Sequence, residues 1–169
     1  TSRLRIFADK GILYVINTGY AYFDGKKIQY GMPFVAAFEQ ENGKQIYMTN
    51  LEKGFVVDYQ VADNKLYLLQ PLRMATIDLV SGNLLSREVL PVPDRTEIIA
   101  FPHIGFYEAE GNAYKPLVSD NTRLYMINAR GKLVAYELAT KTFTQVDSEK
   151  LFRESFRTDD FVCISQNKN

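Results

Sequence analysis

The sequence predicts an all-β protein made of β-propeller-like blades, each a four-stranded antiparallel sheet. Three observations predict it: a hairpin-like window that occurs three times, a strand-like segment before each copy, and a composition rich in aromatic residues. Tyr and Phe number eleven each among 169 residues, and both are enriched in strands. Apolar residues make up 46% of the chain, which is enough for one domain with a core.

The repeated window reads AFEQENGKQIY at 37–47, TIDLVSGNLLS at 76–86 and AYELATKTFTQ at 135–145. Its third position is acidic in every copy, and turn residues follow. Gly43 and Gly82 occupy the position at which a hairpin turn commonly requires positive φ, whereas Lys141 fills it in the third copy. On both sides apolar residues alternate with polar ones, so each window predicts a strand, a turn and a second strand.

A second segment precedes each window and reads ADKGILYVIN at 8–17, ADNKLYLLQ at 62–70 and SDNTRLYMIN at 119–128. Each copy has a turn centred on an aspartate (Asp9, Asp63 or Asp120), then a Leu-Tyr pair and an apolar run. The predicted repeats therefore span roughly 8–50, 55–90 and 118–146, with a final strand at 159–165. A single blade leaves apolar faces open, so stacking blades side by side is what buries them.

Two insertions interrupt the repeats. The first, at 18–33, contains Asp24-Gly25 between strand-like residues, a strong hairpin signal. The second, at 92–116, holds two apolar stretches separated by a proline. Near the end of the chain, apolar residues at helical spacing predict one short helix within 147–158.

The first window, with the pattern A-x-[D/E]-x-x-x-G-K-x-x-aromatic, resembles the repeat of quinoprotein-like propellers, the PQQ-like repeat. The Leu-Tyr strands resemble the strand that precedes that motif, and the resemblance covers 13–90 and 118–146. Family enzymes that hold the quinone end the motif in Trp, which docks one blade against the next. The equivalent positions here are Tyr47, Ser86 and Gln145. No calcium-ligand cluster carries over either, so the resemblance implies a non-enzymatic variant without a cofactor, in the periplasm or elsewhere outside the cytoplasm.

The number of blades raises a question of closure. At ~45 residues per blade the chain makes about three to four blades, whereas closed propellers have about four to eight. A longer parent chain, association between chains, or an open stack of sheets would each resolve the difference. The chain starts with Thr, which favours the first alternative, and we expect a segment of a larger propeller.

Composition and motifs narrow the function. Twenty basic residues balance twenty acidic ones, which argues against a nucleic-acid partner. No apolar run has the ~20 residues of a membrane span. One His and one Cys do not make a zinc site, and phosphate-binding loops and the GxSxG nucleophile motif are absent from the sequence.

The two insertions are the candidate contact surfaces. Their candidate interaction residues are Phe101, His103, Phe106, Tyr107, Tyr20 and Tyr22. His103 either lines a ligand site or is a half-exposed loop histidine, and the tyrosines either face a partner or pack in the core. We expect a non-catalytic scaffold that binds a protein, a small molecule or a glycan. The alternative is a fragment of a propeller enzyme, a hydrolase or a quinoprotein-type oxidoreductase, whose active site lies mostly outside this chain.

Overall fold

The computed structural model describes residues 2–52, 54–91, 98–100, 103–108, 111–116, 122–128, 130 and 132–146. These residues form strands and turns, with no helix among them. Every strand pairing is antiparallel, so the predicted all-β fold is confirmed. The chain divides into two compact units, Thr1–Leu90 and Pro91–Asn169.

The first unit begins with a five-stranded sheet, sheet 1. Its strands are β1 (Ser2–Asp9), β2 (Ile12–Phe23), β3 (Lys26–Gln29), β4 (Phe34–Glu39) and β5 (Gln45–Asn50). The order is β1-β2-β4-β5, and β3 pairs with the far end of β2. Strand β2 is therefore long enough to serve both the sheet and a hairpin that extends beyond it.

Sheet 2 completes the first unit as a four-stranded meander. Its strands are β6 (Asp58–Ala62), β7 (Lys65–Gln70), β8 (Arg73–Asp78) and β9 (Leu84–Val89), in sequential order. This is the antiparallel, hairpin-connected sheet that the second repeat predicts.

The second unit contains sheet 3 and a separate hairpin. Sheet 3 has the strand order β10-β13-β14-β15. These strands are β10 (Ile98–Ala100), β13 (Arg123–Asn128), β14 (Leu133–Glu137) and β15 (Thr142–Gln145). The hairpin pairs β11 (His103–Glu108) with β12 (Gly111–Pro116). The first strand of sheet 3 thus lies inside the insertion that the sequence places at 92–116.

The turn of the repeated window has the same geometry in all three copies. Gly43, Gly82 and Lys141 have φ of 73°, 74° and 58°. Each of these residues donates its backbone N–H to the carbonyl of the acidic residue four positions earlier, at 2.8, 2.8 and 2.9 Å. Lys141 therefore adopts the left-handed conformation although it carries a Cβ. The predicted Asp24-Gly25 hairpin also forms, with φ of 48° and 71°.

The turn before β2 differs by one residue from its prediction. Lys10 and Gly11, with φ of 49° and 78°, are the turn residues, and Asp9 is the last residue of β1. Asp63 and Asn64, with φ of 54° and 56°, form the corresponding turn before β7. The two turns correspond when the segments are aligned on their Leu-Tyr pairs instead of on their aspartates.

Sheets 1 and 2 pack face to face around one hydrophobic core. Strands β2 and β4 point every second residue into it, as the period of two requires. Its members are Tyr14, Ile16, Val35 and Ala37 of sheet 1, Leu66, Leu68, Ala75 and Ile77 of sheet 2, and Leu51, Val56 and Leu79 from the connections. The segment predicted as a helix (147–158) and the final strand predicted at 159–165 lie outside the described residues.

Candidate interaction surface

The ring of Tyr47 makes a close contact between sheets 1 and 2. It lies against Gly82, where a Cβ would overlap the ring atoms. Its hydroxyl donates to the carbonyl oxygen of Leu79 at 3.1 Å. Beside it, Thr49 Oγ1 donates to the Gly82 carbonyl oxygen at 2.5 Å. The last position of the first window therefore docks sheet 1 onto the turn of the second window.

Burial, together with the neighbouring Tyr14 and Asp78, raises the pKa of Tyr47 to about 12. The neutral phenol is thus favoured in the folded protein. Its contribution to stability is complete below the unfolded pKa of 10.0 and is lost as the pH rises toward 12.

We therefore expect the free energy of unfolding to fall more steeply with pH in the wild type than in Tyr47→Phe. Because the side chain is only half-buried, the difference should be about 1 kcal/mol between about pH 9 and pH 11. Urea unfolding at both pH values measures it, and the phenylalanine variant controls for the other titrating groups. Equal pH dependence in the two proteins would show that Tyr47 ionises as freely in the folded state as in the unfolded one.

The hairpin of β2 and β3 is fixed to the sheet around Gly19. Asn17 Oδ1 accepts the Gly19 N–H at 3.0 Å, and the Gly19 carbonyl accepts the Tyr30 N–H at 2.9 Å. The Val56 N–H donates to the Thr18 carbonyl at 2.8 Å, which lays the β5–β6 connection against β2. A Cβ on Gly19 would meet the Gly54 carbonyl oxygen at 2.9 Å, so only glycine allows this close approach.

Where the connection crosses the hairpin, two aromatic rings form a corner, which we call the aromatic corner. The rings of Tyr20 and Phe55 have centroids 5.8 Å apart and planes 74° apart. Lys27 Nζ lies 4.2 Å from the centroid of Tyr20 and 3.5 Å from that of Phe55. Tyr22 packs edge-on against Tyr20 at 5.9 Å. The corner therefore holds an ammonium group between two π faces.

Five large apolar side chains within residues 22–32, on the same hairpin, are exposed. Phe23 is 74% exposed and Tyr30 64%. The full set, the hairpin surface, comprises Tyr22, Phe23, Ile28, Tyr30 and Met32. In the ladder, Ala21 pairs with Ile28 and Phe23 with Lys26, so Phe23 and Ile28 share one face while Tyr20 and Tyr22 share the other. One short hairpin thus presents aromatic residues on both faces.

The second group of sequence candidates lies in the other compact unit. His103, Phe106 and Tyr107 belong to strand β11, and His103 pairs with Pro116 of β12. Phe101 lies outside the described residues. The β11–β12 hairpin remains a predicted contact surface.

Sequence reasoning identified Tyr20 and Tyr22 but missed Lys27 and Phe55. Lys27 could have been found, because a two-residue turn at Asp24-Gly25 fixes the register that places it opposite Tyr22. Phe55 lies in a connection between sheets, and no local pattern indicates where such a side chain packs.

Several polar features of the described residues lie outside the aromatic corner. The searched ranges contain no group of three metal-ligating side chains. Gln60, 1% exposed, has no hydrogen-bond partner for its side-chain oxygen or nitrogen among the described residues. Glu52 pairs with Arg87, and with Arg73 at 3.7 Å. In the ranges described, no helix is long and apolar enough to span a bilayer.

Fold and surface together define an all-β protein of antiparallel sheets with an exposed aromatic hairpin. No family model matches the chain, and no curated protein does. Among solved structures the chain is similar to the computationally designed Ika8 protein, with 10% identity and a TM-score of 0.39. That alignment covers 83% of this chain and 59% of Ika8. A similarity at this TM-score supports no conclusion about function.

Proposed function

We propose that this chain is a segment of a PQQ-like β-propeller that serves as a non-catalytic binding scaffold. Its blades would be sheets 1, 2 and 3, and the β2–β3 hairpin would be its principal contact surface. The packing of Tyr47 on Gly82 supports the first part, because it joins the last window position of one repeat to the window turn of the next repeat.

The outward face of sheet 1 supports a stack that continues beyond it. The cross-strand row Ile6, Val15, Ala36 and Met48 runs across this face. The equivalent row of sheet 2 is Tyr59, Leu68, Ala75 and Arg87, of which Leu68 and Ala75 lie in the core against sheet 1. Ile6 is 58% exposed and Met48 48%. Sheet 2 uses this face to pack against sheet 1. The same face of sheet 1 is apolar, which favours the packing of a further sheet on it.

The turn of the first window supports the same interpretation. Gly43 is equivalent to Gly82, and a Cβ placed on it would meet none of the described residues within 4 Å. The docking position that Tyr47 fills on sheet 2 is therefore open on sheet 1. A further sheet with an aromatic residue at the last window position would fit there.

The observation that carries the binding function is the concentration of exposed aromatic side chains on residues 22–32. Monomeric proteins rarely expose large apolar side chains in one cluster, and aromatic residues dominate binding energy at interfaces. Both ends of this hairpin are fixed by hydrogen bonds at Gly19 and Thr18, so the surface is presented with little loss of entropy on binding.

Site-specific photocrosslinking tests this proposal. The photoreactive residue p-benzoylphenylalanine replaces Phe23 or Tyr30 in the full gene product, expressed in its own cells. Val80, 72% exposed at the tip of the β8–β9 turn, is the control position. We expect discrete adducts from positions 23 and 30 and none from position 80. Absence of adducts at the hairpin, or the same adducts at all three positions, would contradict a specific contact surface there.

A further inference from the structure

The aromatic corner has the geometry of a cation-binding site whose present occupant belongs to the chain itself. Lys27 faces Tyr22 across the β2–β3 ladder, so its side chain reaches the neighbouring Tyr20 on the same face. The Tyr20 ring is 5% exposed and cannot turn away without disturbing the sheet. The walls are therefore fixed, whereas the lysine is the flexible part of the arrangement.

We propose that the corner of Tyr20 and Phe55 binds alkylammonium groups from outside the chain, quaternary ones above all, in competition with Lys27. A π face attracts a cation, and two nearly perpendicular faces act on it together. A primary ammonium is strongly hydrated, and its transfer from water offsets part of this attraction. A quaternary ammonium carries the same charge on methyl groups, so the two rings hold it at a smaller desolvation cost.

The position of the occupant makes exchange feasible. Lys27 is exposed to solvent, while Tyr20 beneath it is buried. The ammonium therefore lies at the open side of the corner. Exchange requires rotation of one long side chain and no opening of the core. This inference specifies which kind of ligand the β2–β3 hairpin of the proposed function would bind. It rests on that proposed function only for its biological meaning.

Choline and its uncharged isostere 3,3-dimethylbutan-1-ol test the site on the folded chain. We expect Lys27→Ala to bind choline with a dissociation constant of about 1 mM. The neutral isostere should bind at least about tenfold more weakly, because it lacks the charge. In the wild type the tethered lysine competes at millimolar effective concentration for a site with a millimolar dissociation constant, so choline should bind about twofold more weakly than to Lys27→Ala. NMR titration, followed at the backbone amides around Gly19 and Val56, measures all three dissociation constants.

Matched variants separate this site from nonspecific binding. Lys26→Ala removes the neighbouring lysine, which pairs with Phe23, and should behave as the wild type. Adding Phe55→Leu to Lys27→Ala should abolish choline binding while the amide spectrum stays dispersed. The proposal is wrong if folded Lys27→Ala binds no choline, or binds choline and its isostere equally.

The source of the ligand follows from one further comparison. A short peptide containing trimethyllysine is titrated into Lys27→Ala beside the same peptide with unmodified lysine. Tighter binding of the methylated peptide than of choline assigns the site to a protein side chain, and the reverse order assigns it to a small molecule. Photocrosslinking at Phe23 in the Phe55→Leu variant keeps the two proposals separate. If the adducts persist in that variant, the proposed scaffold function holds even if the corner binds no cation.

Discussion

Gly82→Ala should destabilise the first unit by about 3 kcal/mol, whereas Gly43→Ala should cost about 1 kcal/mol. The two glycines occupy the same window position with φ of 74° and 73°, so the penalty for a left-handed alanine is shared. They differ in their surroundings, because the Tyr47 ring covers Gly82, whereas no atom in the described part of the chain lies within 4 Å of a Cβ on Gly43. Urea unfolding of both variants measures the difference.

A double mutant identifies the cause of the excess cost. Tyr47→Ala removes the ring that the new methyl group would meet, so Gly82→Ala should cost only about 1 kcal/mol in that background. The two substitutions should therefore be strongly non-additive. Equal costs for Gly82→Ala and Gly43→Ala would mean that the ring does not hold the two sheets together in solution.

Gly19→Ala should destabilise the protein by about 2 to 4 kcal/mol and detach the β5–β6 connection from β2. Its φ of 76° is left-handed, and an added Cβ would lie 2.9 Å from the Gly54 carbonyl oxygen and 3.0 Å from Pro33 Cδ. Neither neighbour can move alone, because one is backbone and the other a rigid ring. The Thr18–Val56 hydrogen bond should break, and Phe55 should leave the aromatic corner.

Gly31→Ala is the matched control for Gly19→Ala. Gly31 has a φ of 79°, and among the residues that the structure describes none lies within 4 Å of a Cβ built on it. Only the cost of the left-handed backbone, about 1 kcal/mol, therefore remains. Hydrogen exchange of the Val56 amide should accelerate in Gly19→Ala and stay slow in Gly31→Ala. Unchanged Val56 exchange in a folded Gly19→Ala protein would contradict the close approach.

The sequence determined much of this protein's local structure. A glycine or lysine at the same window position marks three turns of one geometry, and Asp24-Gly25 fixes a hairpin and its register. These features depend on φ preferences and on the period of two, which act between residues close in the chain.

Only the tertiary structure decided where Tyr47, Phe55 and Gly19 act. Tyr47 meets a turn 35 positions later in the chain, and Phe55 reaches Tyr20 from a connection with no repeating pattern. The need for glycine at position 19 comes from a carbonyl oxygen that folding brings to it from position 54. Such contacts depend on how one sheet packs on another and where a connection crosses, and no short stretch of sequence carries that information because packing joins residues distant along the chain.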